Sequence, residues 1–234
     1  MSGKPLGKES IMREFLLSTC GLAIWIIALF EIIIFMLLIS KYKDKHKPMF
    51  LCMALICLGL VIDALVITSG ILLGGALLPL SRLRFVAHGV LIPLILPICG
   101  YALDAKKGLM KVIWGITAVI MIAGAAEGFA TVFETATIAG VIRLVSSDAT
   151  PAWAGIITMV LSFGMVVPML VCGLAAWIKQ KNPHLFWAAF FMFLFSALGP
   201  ATGNTDLIFY ISMYGELLMV FFFYLYASNK YSKH

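Results

Sequence analysis

Residues 19–40 read TCGLAIWIIALFEIIIFMLLIS, an apolar run carrying one charge, Glu31, and followed at once by the basic turn Lys41, Lys43, Lys45, Lys47 and by Pro48. The hydrocarbon core of a bilayer takes about twenty consecutive apolar residues as a helix, and this run suits that solvent. It is too long for the apolar core of a secretory leader, and residues 1–10 before it are polar. The expectation is that no signal peptide is present and that the run stays in the protein as its first span.

The rest of the chain repeats the pattern. Hydrophobic residues make up 62% of it and charged residues 12%, with a mean hydropathy of +1.06, whereas about a quarter of the residues of a soluble domain are charged. The 234 residues therefore allow roughly seven spans and no separate soluble catalytic domain. Periodicity, prolines and basic turns predict one all-α domain over 1–234, a seven-helix bundle with helices at about 19–40, 49–73, 84–103, 109–130, 153–178, 185–198 and 206–228. Pro93 and Pro97 should kink the third helix, Pro168 lies within the fifth, and Gly199-Pro200 should break the sixth. In the connection 131–151, Ile138, Val141, Ile142 and Val145 have the spacing of an interfacial helix. No internal repeat of a transporter kind is visible.

The net charge of +6 does not form one groove or helix face, so nucleic acid is not an expected partner. Lysines gather in alternate loops, and lysine in a short loop resists translocation. Lys41 to Lys47, Lys106, Lys107, Lys111, Lys179, Lys181, Lys230 and Lys233 share one side; Lys4, Lys8, Arg13, Arg82, Arg84 and Arg143 share the other. The expected orientation has the N-terminus outside and the C-terminus in the cytoplasm, with the plasma membrane as the expected location. Cys20, Cys52, Cys57, Cys99 and Cys172 fall in apolar stretches without metal-like spacing and read as packing residues.

Four carboxylates, Glu31, Asp63, Glu127 and Glu216, fall inside apolar helices. A charge at the bilayer centre costs about 2.5–3.5 kcal/mol or more unless it is paired or hydrated, so these side chains should face the interior. Arg84 and His88 are four apart, on one face of the third helix, and Arg84 is the natural counter-charge for Asp63 or Glu216. Such a cluster suits a proton relay or a cation-coupled site. The plainer alternative makes Glu31 and Glu127 structural hydrogen-bond partners and His88 a packing residue. His46, His184 and His234 lie in loops or the tail, so no intramembrane three-histidine metal site can form.

No HExxH, GxSxG, phosphate-binding loop or dinucleotide fingerprint is present. An intramembrane enzyme would have to use His88 with Glu127 or Asp63 and a group such as Ser69, Thr68 or Cys99. Gly124, Ala125, Ala126 and Gly128 would let the fourth helix approach a neighbour closely, within the chain or in a homo-oligomer.

Arg84-Phe85, then Pro93-Leu94 starting nine positions after the arginine, then Asp104-Ala105-Lys106-Lys107-Gly108, with Gly115 and Gly124 beyond, share a register that resembles the microbial rhodopsins over roughly a fifth of the chain. The resemblance implies a seven-helix bundle with this orientation and a central cavity near Arg84. The family's retinal is held by a lysine in the middle of the seventh helix, and residues 206–228 contain none, so covalent retinal is excluded. Ala87 stands where the family has a carboxylate, His88 where it has tryptophan, and the sixth helix lacks a mid-helix proline.

The expected function is therefore a retinal-free, rhodopsin-like bundle. Its interior cluster of Asp63, Arg84, His88 and Glu216, with Glu31 and Glu127, binds a small ligand or relays protons or small solutes. The alternative is a membrane sensor whose basic loops meet a cytoplasmic protein or anionic lipid.

Overall fold

The computed structural model describes residues 8–201 and 203–229; Lys4, Thr202, Lys230, Lys233 and His234 lie outside the described residues. Helix α1, Lys8–Lys45, contains the opening apolar run and ends in the basic turn. Helix α2, Pro48–Thr68, starts on a proline, whose missing N–H would have no partner in a first turn. It stops five residues before the expected end. Gly70–Leu73 forms a separate turn, α3, followed by a 3₁₀ turn at Gly74–Ala76. Gly70 has the Ile142 carbonyl where a Cβ would stand, and Gly74 has φ of 49°.

Helix α4, Leu77–Leu91, begins earlier than the expected residue 84. Pro79 falls in its first turn, where proline is tolerated. The expected kink takes the form of a 3₁₀ turn, Ile92–Leu94, centred on Pro93, after which α5, Ile95–Ala102, completes the span. Asp104, with φ of 54°, turns the chain into α6, Lys107–Ala130.

The connection that follows is not the interfacial helix expected of it. Strands β1, Phe133–Ile138, and β2, Val141–Ser146, pair antiparallel, with Phe133 opposite Ser146 and Ile138 opposite Val141. The β-branched residues Thr135, Thr137, Ile138, Val141, Ile142 and Val145 favour a strand over a helix. Ala139 and Gly140 form the two-residue turn with φ of 52° and 77°, the positive pair a tight hairpin requires. The fold is thus mostly helical rather than all-α.

Helices α7, Ala152–Gln180, α8, His184–Ala201, and α9, Thr205–Ser228, complete the chain. Helix α8 runs through Gly199 and Pro200 instead of breaking there. Among the described residues, six helical stretches are long and apolar enough to cross a bilayer: Ser18–Lys45, Pro48–Thr68, Gly74–Ala102, Lys107–Ala130, Ala152–Gln180 and Ile208–Ser228. Helix α8 packs between α7 and α9. Exposed Leu22, Phe30, Val119, Ile122, Phe129, Ile156 and Val171 are costly in water and suited to lipid.

The helices pack around a ring: α1 on α2, α2 on α4 and α5, α4 on α6, α6 on α7, α7 on α8, α8 on α9, and α9 back on α1. The small residues of the fourth span make the α4–α6 crossing, where Gly124 meets the backbone of Gly89 and Gly128 meets that of Val86. The close approach expected of them is therefore made within the chain.

Two apolar clusters fill the interior. One, at the lysine-rich end, contains Phe50, Met53, Leu60, Ile95, Ile98, Met169, Leu185 and Phe223. The other contains Cys20, Ile24, Ala28, Ala64, Ile67, Phe209 and Met213 and includes Ala139 of the hairpin turn. Hydrogen bonds collect the basic end: Lys45 Nζ donates to the Ala227 carbonyl at 3.2 Å, Gln180 Nε2 to the Ala102 carbonyl, and Tyr226 Oη to Gln180 Oε1 at 3.0 Å.

Candidate functional site

The intramembrane carboxylates lie at the seam between the two clusters. On α1, Glu31 falls between Ala28 of one cluster and Ile34 of the other; on α9, Glu216 falls between Met213 and Met219; on α2, Asp63 falls between Leu60 and Ala64. Helix α4 brings Arg84 and His88 to the same level. A polar layer is thus sandwiched between two apolar ones.

The expected pairing of Arg84 with Asp63 is present, with Arg84 Nε 3.3 Å from Asp63 Oδ1. The N–H is not aligned for a hydrogen bond, so the pair is held by charge, at short range and away from water. Arg84 also donates through Nη2 to the Leu144 carbonyl of β2 at 3.5 Å. Arg84 is 7% exposed, and a charge so buried is stable only when paired.

One cavity opens beside this pair and a second adjoins it. The smaller, about 180 Å³, is lined by Asp63, Arg84, His88, Glu127, Thr158 and Ser162. The larger, about 320 Å³, is lined by His88, Ser162, Ser196, Ser212 and Glu216 among apolar neighbours. His88, Leu161 and Ser162 border both. Five of the six expected residues therefore line two adjoining cavities, each large enough for water, which needs two to four polar partners.

The carboxylates differ in their bonding. Glu127 Oε1 accepts from Thr158 Oγ1 at 3.0 Å and from Thr131 Oγ1 at 3.3 Å, which ties α6 to α7. Glu216 Oε2 has no hydrogen-bond partner among the described residues, and Glu216 is within electrostatic reach of Asp63, Glu31, Arg84 and Arg143. Glu31 is fully buried, neither carboxylate oxygen has a partner among the described residues, and it lines neither cavity. It joins the layer through the fields of Asp63 and Glu216.

Arg143 was not expected here. Its place on β2 brings a second guanidinium to the layer, 4.0 Å from the centre of the Phe209 ring. Burial, with Arg84 nearby, lowers it to about 10, so it remains charged at neutral pH. The hairpin that carries it is fixed to the bundle where the Ala139 N–H donates to Asp206 Oδ1 at 2.8 Å. The density of β-branched residues on both sides of the Ala139-Gly140 turn is the sequence signal that would have found it. The hydroxyls Thr158 and Ser162 were also missed, although their i, i+4 spacing in an apolar helix places them on one face.

Of the groups considered for an enzyme, Thr68 Oγ1 donates to the Ala64 carbonyl of its own helix at 2.8 Å, and Cys99 lies instead on a separate cavity with Cys172. Among the described residues no group of three or more His, Cys, Asp or Glu side chains is arranged to hold a metal ion. Compared with known proteins, the chain matches no family model and no curated sequence.

Proposed function

We propose that this chain is a retinal-free, rhodopsin-like membrane protein whose interior polar layer binds a small ligand or relays protons or small solutes. In this reading α8 also spans, as the sixth of seven helices, the N-terminus is outside and the lysine-rich end is in the cytoplasm, in the plasma membrane. The observation that carries the reading is the Asp63–Arg84 ion pair on a cavity shared with His88 and Glu127, which adjoins through His88 a second cavity lined by Glu216. Ring closure of the helices in chain order, with a kink at Pro93, supports the likeness to the rhodopsin bundle.

Each residue then has a role. Arg84 organises the carboxylates, Glu216 and Asp63 accept protons or a cation, and His88 passes charge between the two cavities because it borders both. Its imidazole has one nitrogen that donates and one that accepts, so it can pass a proton from one side to the other. Glu127, held by two threonine hydroxyls, anchors the far wall. Proton and solute flux into proteoliposomes is the test. Asp63→Asn and Glu216→Gln should each reduce it at least about tenfold, within the usual effect of losing a proton-transfer group; unchanged flux of every species tried in both variants would remove the transport form.

The apolar clusters on both sides of the layer favour a second reading, a sensor without a through-path. There, occupancy or protonation of the layer alters the packing of helices whose basic ends meet a cytoplasmic partner. Absence of flux together with ligand-dependent protection of interior amides from hydrogen exchange would select it.

A further inference from the structure

A separate cavity of about 790 Å³ opens at the lysine-rich end, where α2 begins, α5 ends and α6 begins. Lys47, Lys107 and Lys111 lie on its lining with Tyr101, Asp104 and Trp114. Lys107, Lys111 and Trp114 are spaced i, i+4 and i+7, which puts them on one face of α6. At about 1.5 Å per residue they descend roughly 10 Å along the helix, basic at the mouth and aromatic beneath. Trp114 Nε1 donates to Tyr101 Oη at 3.2 Å, fixing two amphipathic rings at that depth, as at a membrane interface.

The helix ends add to the field. Helices α2 and α6 both start at this cavity, and neither has a side-chain cap on its first turn. The dipoles of both helices direct partial positive charge toward the lining lysines. Asp104 opposes this on the same lining, which disfavours a polyphosphate and leaves a net positive site suited to one phosphodiester. The walls are otherwise largely apolar, with Met49 and Met110 among them.

We propose that this groove binds an anionic phospholipid of the surrounding bilayer. The headgroup phosphate lies between Lys107, Lys111 and Lys47, and the glycerol backbone rests against Trp114 and Tyr101. The site is distant in the sequence pattern from the polar layer and does not depend on any flux through it. A phospholipid is favoured over a free anion because the basic mouth leads directly to an aromatic and then an apolar wall, a gradient that a soluble ion does not use.

The test is quenching of Trp114 fluorescence in the full chain, taken as the difference between wild type and Trp114→Phe, in phosphatidylcholine vesicles containing a minor fraction of brominated lipid. Brominated phosphatidylglycerol should quench at a mole fraction on the order of thirtyfold lower than brominated phosphatidylcholine, the preference two lysines near a membrane surface provide. Lys107→Gln with Lys111→Gln should abolish the preference, and Lys107→Arg with Lys111→Arg should keep it. Equal quenching by the two lipids in wild type, or a preference undiminished in the glutamine variant, would overturn the proposal. Loss of the preference on adding inorganic phosphate at constant ionic strength would also overturn it, by assigning the groove to a free anion.

Discussion

Gly89 of α4 and Gly124 of α6 meet backbone to backbone, each occupying the space where the other's Cβ would stand. The layer's His88 is the residue next to this contact, so the distance between α4 and α6 sets where the imidazole lies relative to Glu127. Substituting Gly124→Ala should force the helices apart and destabilise the protein by about 1–3 kcal/mol, the usual cost of overpacking. Gly115→Ala, with nothing within 4 Å of its added methyl, should be stabilising or neutral. Thermal unfolding in one detergent compares the two directly.

The Asp63–Arg84 pair predicts strong coupling. Removing one charge leaves the other buried and unpaired, a loss of about 3–5 kcal/mol, so Asp63→Asn and Arg84→Gln should each lower stability severely. The double variant should be less destabilised than the sum of the singles by about 0.5–3 kcal/mol, the range for residues in contact. Additive losses would mean that the two side chains do not interact in the folded protein.

Asp206 accepts the Ala139 N–H of the hairpin turn. Asp206→Ala should cost about 1.5–3 kcal/mol, as hydrogen bonds to charged groups do. Amide exchange should accelerate across 133–146 while the α4–α6 crossing keeps its protection. Uniform acceleration over the chain would instead make the hairpin part of one cooperative unit with the helices.

Glu127 shares Oε1 between Thr158 and Thr131. Thr158→Val removes one donor and should cost about 1 kcal/mol, read from chemical denaturation. If Glu127 anchors the cavity wall, flux or ligand binding should fall in this variant while the Asp63–Arg84 coupling energy stays the same.

The solvent of this fold was legible from residues 19–40 alone, and most of the span positions followed because apolar runs, basic turns and prolines each have a direct cost or benefit in lipid; the start of the third span and the extent of α8 did not follow. The pairing of Asp63 with Arg84 was legible too, since buried charges must find partners. The hairpin was not. Its apolar residues fit a helical period well enough to mislead, and only their β-branching and the Ala139-Gly140 turn distinguish a strand pair. Missing the hairpin meant missing Arg143, because a guanidinium in a loop enters the layer only if the loop folds back over the bundle. The early end of α2 was hidden for a related reason: Gly70 is set by the Ile142 carbonyl, a neighbour more than seventy residues away.

The 3₁₀ turn at Ile92–Leu94 divides the third span into two levers on one fulcrum, a single helical turn from His88. The upper lever, α4, is clamped to α6 by its glycines, while the lower, α5, rests on α2, α6 and α7. A tilt imposed at the level of His88 therefore has a route to Tyr101 and the α5–α6 turn that does not require the whole helix to slide.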